Sequence, residues 1–422
     1  MTGTKTIRPN SIANHVISRC RQIAACTDIP GETTRTFLSP PMRRVHALLR
    51  EWMEAAGMTV HIDAAGNLRG IRPGPSSQSP RLLIGSHLDT VPNAGAFDGI
   101  LGVVLGVAII EELRGQHLPF AIEVIGFSEE EGVRFNKPFL GSLALIGKLD
   151  NETLAHTDRN GVSVAEAIRI FGLSPAELPA ATMANEAFAY LEIHIEQGPL
   201  LESEGASLGI VEALAGQTRM SLTFDGHANH AGTTPMHLRH DAMAAAAAWI
   251  VSVEDYAGAH PGLVATVGKV ETLPGAGNVI AGQVKASLDV RHASDHTRNI
   301  AVAALITSAK AAAIKRGVLL ATHTQLEQPA VPMDPHLTSL LDQASTKANF
   351  PGRRMTSGAG HDAMIVAQRL PCTMLFVRSP GGLSHHPGEA VLPQDIEAAL
   401  ATAMEFLALL RDDKATPKDD HA

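Results

Sequence analysis

Three apolar runs, RLLIGSHLD (81–89), FAIEVIGFSEEEG (120–132) and AFAYLEIHIEQG (187–198), are separated by helix-like segments such as GILGVVLGVAIIEEL. Strand-like runs alternating with helical patterns predict an α/β architecture: a mostly parallel sheet flanked by helices. After Leu214 the order changes. Strand TRMSLTFDG, helix DAMAAAAAWIVSVEDYA, strands GLVATVGKVET and GQVKASLDVRH, helix TRNIAVAALITSAKAAAIKRG and strand VLLATHTQLEQ follow one another. That βαββαβ order predicts a small antiparallel α+β domain. Beyond Pro329 the alternation resumes with helix HDAMIVAQRL, strand CTMLFVRS and the amphipathic helix DIEAALATAMEFLALL, so the α+β segment reads as an insertion. The opening stretch, Ser11 to Gly57, reads as two helices interrupted by a turn around Pro30 to Pro41.

At 422 residues the chain exceeds what one core usually supports. We therefore expect one domain from residues 1–213 and 330–422, and an inserted one from 214–329. A formal charge of −9, with no basic cluster interleaved with aromatics, argues against nucleic-acid binding. The apolar runs are too short to cross a bilayer. The N-terminal MTGTKTIRPNS lacks the apolar core of a secretory signal, and Cys20, Cys26 and Cys372 have neither metal-type nor disulfide-type spacing, so a cytoplasmic location is expected. The tail from Asp412 to Ala422 is polar and is expected to fray.

The ionisable residues fall where chemistry gathers. His87, Glu130 with Glu131, and His194 lie just past the apolar part of separate predicted strands, and His385 follows CTMLFVRS in the same way. Ligands of open α/β sheets collect at those carboxyl ends. Asp98 sits in the Gly-rich loop before GILGVVLG. Singly, a strand-end histidine is usually structural and an acidic run usually a solvated face. Together they predict a metal site, since a cation is the strongest partner for buried carboxylates. Imidazole with carboxylate suits Zn, Mn, Co or Ni, and five such ligands exceed one tetrahedral ion but suit two ions bridged by a carboxylate. Asp89 is spaced to take the free ring N–H of His87. Gly358 and Gly360 in SGAGHDA mimic part of a dinucleotide fingerprint, but no strand is predicted directly before them and Ala363 stands at the third glycine.

Six motifs in order, GSHLDTVPNAGAFDG (85–99), EEEGVRF (129–135), HIEQGPLLE (194–202), GHANHAGTTPMHLRHDA (226–242), SGAGHDA (357–363) and GGLSHHPGE (381–389), carry a resemblance over nearly the whole chain. The chain resembles the hydantoinase/carbamoylase branch of the aminoacylase and carboxypeptidase G-type dinuclear metallopeptidases. The HIEQG motif separates this branch from the clan's peptidases, which generally place a carboxylate where His194 stands.

The resemblance implies that His87, Asp98 and His194 hold one side of a pair of divalent ions, with Asp98 bridging, and that Glu131 and His385 complete the other. Alignment on the glycine of the acidic motif makes Glu130 the general base and Glu131 the ligand, while SHxP assigns His385 and leaves His386 variable. A water shared by the cations would give its proton to Glu130, which would pass it to the departing nitrogen. His230 would donate to the oxyanion from the inserted domain. Gln197, Arg219, Asn278 and Arg291 match substrate contacts, with Arg291 offering a planar fork to a carboxylate. The implied reaction is hydrolysis of an N-carbamoyl-L-amino acid to amino acid, carbon dioxide and ammonia, with allantoate amidohydrolase and β-ureidopropionase as alternatives and a dipeptidase or deacylase disfavoured. The resemblance also implies a homodimer formed through the inserted lid domain, with hinges near Leu214 and Pro329 and His230, Asn278 and Arg291 serving the partner subunit's metals.

Overall fold

In the computed structural model, which describes residues 12–415, the apolar runs become strands because each is long enough for one sheet crossing and buried along nearly its whole length. The leading segment 1–11 and the end of the tail, 416–422, lie outside the described residues. Asp412, expected to begin a frayed tail, instead continues the last helix, Pro393–Ala415. There the Asp413 carboxylate meets His336 Nε2 at 3.3 Å.

The larger sheet contains β1 (Thr59–Ile62), β2 (Leu68–Arg72), β3 (Arg81–His87), β4 (Ala121–Phe127), β5 (Ala187–Ile195) and β6 (Leu208–Leu214). The second sheet follows in the chain: β7 (Gly216–Asp225), β8 (Val264–Thr266), β9 (Val270–Leu273), β10 (Gln283–His292) and β11 (Leu319–Gln328). The chain then returns to the first with β12 (Val331–Pro332), β13 (Arg353–Ser357) and β14 (Cys372–Val377). The strand order of the first sheet is β1-β2-β4-β3-β5-β14-β6-β12, with β13 paired to β6. Its centre, β4-β3-β5-β14, is parallel throughout. Antiparallel strands flank that centre: β1 and β2 on one side, β6 on the other. Helix Ile100–Glu112 is apolar all round because 11 of its 13 residues are buried. Gly102 lets it lie close to β5, since a Cβ there would stand 2.0 Å from the Ile193 carbonyl oxygen.

Two compact units emerge. Among the described residues, one comprises those up to Glu212 with Met333–Met355 and those from Gly360 on; the other comprises Ala213–Pro332 with Thr356–Ala359. In the second unit β7 pairs antiparallel with both β10 and β11, and helices Ala242–Gly258 and Asp295–Ile314 pack a core around Trp249, Phe224 and Leu305. The segment GLVATVGKVET, read as one strand, is two. β8 and β9 both pair with β10, and between them the Lys269 N–H turns to the Ser287 hydroxyl at 3.0 Å. A strand does lead directly into Gly358, contrary to the sequence reading, because β13 ends at Ser357. The helix that follows, Asp362–Val366, has five residues and carries Ala363 where a dinucleotide fingerprint needs its third glycine.

Candidate metal centre

Parallel neighbours end at the same sheet edge, so β4, β3, β5 and β14 deliver their following residues side by side. His87 is the last residue of β3 and His194 lies one residue before the end of β5. Glu129 to Glu131 follow β4 after Ser128, and the loop after β14 leads to His385. Asp98 precedes the buried helix by a single glycine. Gly99 is required there: its φ is +68°, and a Cβ would lie 2.5 Å from the His87 ring.

The side chains converge. One candidate ligand atom from each of His87, Asp98 and His194 lies within 4.8 Å of the others, and the same holds for Asp98, Glu131 and His385 and for His87, Glu130 and Glu131. Asp98 Oδ1 is 3.2 Å from His194 Nε2 and 3.7 Å from His87 Nε2. Its Oδ2 is 3.2 Å from His385 Nε2, which lies equally 3.2 Å from Glu131 Oε1. His386 instead accepts the Gly388 N–H at its Nδ1.

Tautomers follow from the backbone. His87 Nδ1 faces the Asp89 carbonyl at 3.0 Å and His194 Nδ1 faces the Ile195 carbonyl at 2.9 Å, so each Nδ1 carries a proton and each neutral ring presents a lone pair at Nε2. Those two Nε2 atoms lie 3.4 Å apart beside the same carboxylate oxygen. Buried acceptors facing acceptors need a cation among them, and this donor set fits a divalent ion of the zinc or manganese kind. Burial disfavours charge on both rings, yet the neighbouring Asp89, Asp98 and Glu130 carboxylates push His87 well above its usual range, while burial drives His194 down to about 4.

Asp89 was expected to cap the His87 ring. Its carboxylate stands 3.5 Å from that ring and instead accepts the Glu130 N–H at 2.9 Å and the Glu131 N–H at 3.1 Å, while its backbone oxygen caps the histidine. Burial, reinforced by the charges of Glu131, Asp362 and Asp89 and opposed by His87, pushes the Glu130 carboxyl well above the usual range. Gln197, at a φ of 60°, directs Nε2 to both Asp98 oxygens (3.3 and 3.2 Å) and to the Ser384 hydroxyl (3.1 Å).

The remaining anticipated residues lie in the second unit. His230 Nδ1 accepts the N–H groups of Gly232 and Thr233 at 3.1 and 3.2 Å, so its proton sits on Nε2 in the neutral ring, on an exposed loop. That loop bridges to Val279, and the Asn278 carbonyl accepts the Ala231 N–H at 3.0 Å, bringing Asn278 beside it. Arg219 and Arg291 share one anchor. Asp289 receives Arg219 Nε at 3.0 Å and Arg291 Nε and Nη2 at 2.9 and 3.0 Å. The sequence reading missed Asp289, which looks like an ordinary alternating strand residue. It also missed Ser384, whose hydroxyl donates to Asp98 Oδ2 at 3.2 Å, and His361, whose ring packs edge-on against His194 with centroids 4.5 Å apart. Both sit within motifs quoted above, next to or near residues that were singled out.

The family model for peptidase family M20/M25/M40 matches residues 83–409. Allantoate deiminase 2 of Glycine max is 37% identical, over 94% of this chain and 90% of its own length. An N-carbamoyl-L-amino acid amidohydrolase of Geobacillus stearothermophilus is 39% identical, over 86% of this chain and 90% of its own. Among solved structures, an amidase of the hydantoinase/carbamoylase family from Burkholderia multivorans superposes with a TM-score of 0.89 at 31% identity, covering 94% of this chain and 97% of that one. The chain belongs to peptidase family M20/M25/M40 and is an amidohydrolase of that family.

Proposed function

We propose that the chain binds two divalent ions, zinc or else manganese, cobalt or nickel, and hydrolyses the carbamoyl C–N bond of N-carbamoyl-L-amino acids. What carries the reading is the Asp98 carboxylate, one oxygen of which faces His87 and His194 while the other faces His385 beside Glu131. Asp98 would bridge, with His87 and His194 on one ion and Glu131 and His385 on the other. Bound ions would supply Lewis acidity to the scissile carbonyl and to the attacking water. Glu130, its backbone pinned by Asp89, takes the proton from the water at a carboxylate oxygen and returns it to the departing nitrogen. The Gln197 Oε1 atom has no hydrogen-bond partner among the described residues and suits a substrate N–H.

His230, with its proton on Nε2, is the donor for the tetrahedral oxyanion, and Arg219, Arg291 and Asn278 receive the substrate carboxylate. Residues 214–329 act as a lid and dimerisation domain, so that His230, Asn278 and Arg291 serve the metals of the other subunit in a homodimer. Cys20, Cys26 and Cys372 are free thiols, which suits the reducing cytoplasm. Among the described residues no helix is long and apolar enough to cross a membrane.

Allantoate is the second reading. Four relatives named as allantoate deiminases are each 37% identical to the chain. Ammonia and amine release should be measured across N-carbamoyl-L-amino acids, allantoate and 3-ureidopropionate. Turnover of N-carbamoyl-L-amino acids above the rest supports the first reading; a preference for allantoate replaces it with the second.

A further inference from the structure

Glu389 lies four positions beyond His385, is 6% exposed and takes no place in the ligand set. Its Oε1 accepts the N–H of Phe97 at 2.7 Å and that of Asp98 at 3.0 Å. Gly95 is shaped to the same contact: a Cβ there would stand 2.3 Å from Glu389 Cβ and 2.5 Å from Oε1. Both segments held by this contact are irregular loops, and His385 sits at a φ of +55°, a conformation that costs a non-glycine residue energy and persists only where its surroundings impose it.

We propose that Glu389 is a positioning residue that locks the Asp98 turn to the His385 loop, so that the two ligands meet an incoming metal as one preassembled pair. The inference rests on reading the cluster as a metal centre. Asp98 Oδ2 and His385 Nε2 already stand 3.2 Å apart. Without the lock, the entropy of ordering two loops would oppose metal binding instead of being met during folding. A single oxygen does the accepting, and Oε2 has no hydrogen-bond partner among the described residues. An amide oxygen therefore serves as well as a carboxylate.

The test is zinc affinity and release, measured by competition with a fluorescent chelator on the metal-stripped full chain. Glu389→Gln should bind zinc close to the parent, while Glu389→Ala should weaken binding by roughly 10- to 100-fold. Gly95→Ala, which crowds the same carboxyl, should weaken it too, and should carry the test if Glu389→Ala yields no folded protein. The double variant should be no weaker than Glu389→Ala alone, because both changes break one contact. Parent-like affinity in Glu389→Ala and Gly95→Ala, a Gln variant as weak as the Ala variant, or additive losses would overturn the proposal. A parent chain that takes up no zinc, manganese, cobalt or nickel is a separate result, and it overturns the metal-centre reading itself.

Discussion

His87 and His194 point Nε2 at each other across 3.4 Å, each ring having given its Nδ1 to a backbone carbonyl. Such an arrangement is unfavourable in an empty cavity and favourable around a cation. The parallel pairing of β3 with β5 imposes it, because neighbouring strand ends put the two rings side by side.

The roles of Glu130 and Glu131 separate in one substitution. Glu130→Gln keeps the ligands and loses the proton acceptor, so metal content should stay near normal while turnover falls by roughly two to four orders of magnitude. Elemental analysis beside a rate assay checks both. Loss of metal in this variant would mean that the two residues have exchanged roles.

Asp89 holds the backbone of both glutamates. Asp89→Asn keeps the shape but turns an amide NH2 group towards one of those N–H donors. Turnover and metal affinity should each fall by roughly 10- to 100-fold, with little change in the far-ultraviolet circular dichroism. An Asn variant with the parent's rate and metal content would remove Asp89 from the account.

His46 supplies a pH dependence remote from the centre. It is buried in helix Pro40–Ala55, edge-on to Phe171 at 5.7 Å, and burial lowers it to about 4. Since the unfolded ring titrates near 6.5, the unfolded chain binds more protons between those values. The stability contributed is whole above pH 6.5 and is lost as pH falls towards 4, to a limit of roughly 3 kcal/mol. Denaturant melts of the parent and His46→Phe at pH 7.5 and 5 isolate this group, because other titrations, such as that of Asp63, which burial raises to about 6, cancel between them. The parent should lose more stability on acidification than the variant; equal losses would refute the assignment.

Much of this was legible in the sequence, and the reason is physical. Ionisable side chains that end apolar runs are conspicuous, so His87, His194 and the Glu129 to Glu131 run announced the sheet edge. The contacts that orient them were not legible. Glu389 reaches Asp98 across 291 positions through backbone amides, a relation that no periodicity records. Asp289 alternates like any strand residue, yet it anchors Arg219 and Arg291. The break between β8 and β9 turns on the Ser287 hydroxyl, which propensity does not distinguish from other strand serines.

The shared-site homodimer is tested by coexpression. Glu130→Ala should be nearly inactive, and Arg291→Ala nearly so at substrate concentrations below its raised KM, because the substrate carboxylate loses a guanidinium partner. In a mixed dimer with crossed sites, both lesions fall in one site and the other is intact, so about a quarter of all sites should recover under random pairing. No recovery in demonstrated mixed dimers would mean that each subunit completes its own site.

The central claim is that His87, Asp98, Glu131, His194 and His385 hold the ions on which hydrolysis depends. The most direct measurement is ammonia release from an N-carbamoyl-L-amino acid and from allantoate by protein stripped with chelator, then resupplied with zinc or manganese, beside the His87→Ala and His194→Ala variants. The account predicts that stripping abolishes the rate on whichever substrate the parent turns over, that metal restores it in the parent, and that both variants have lowered metal content and rate. Full activity in verified metal-free protein would contradict it.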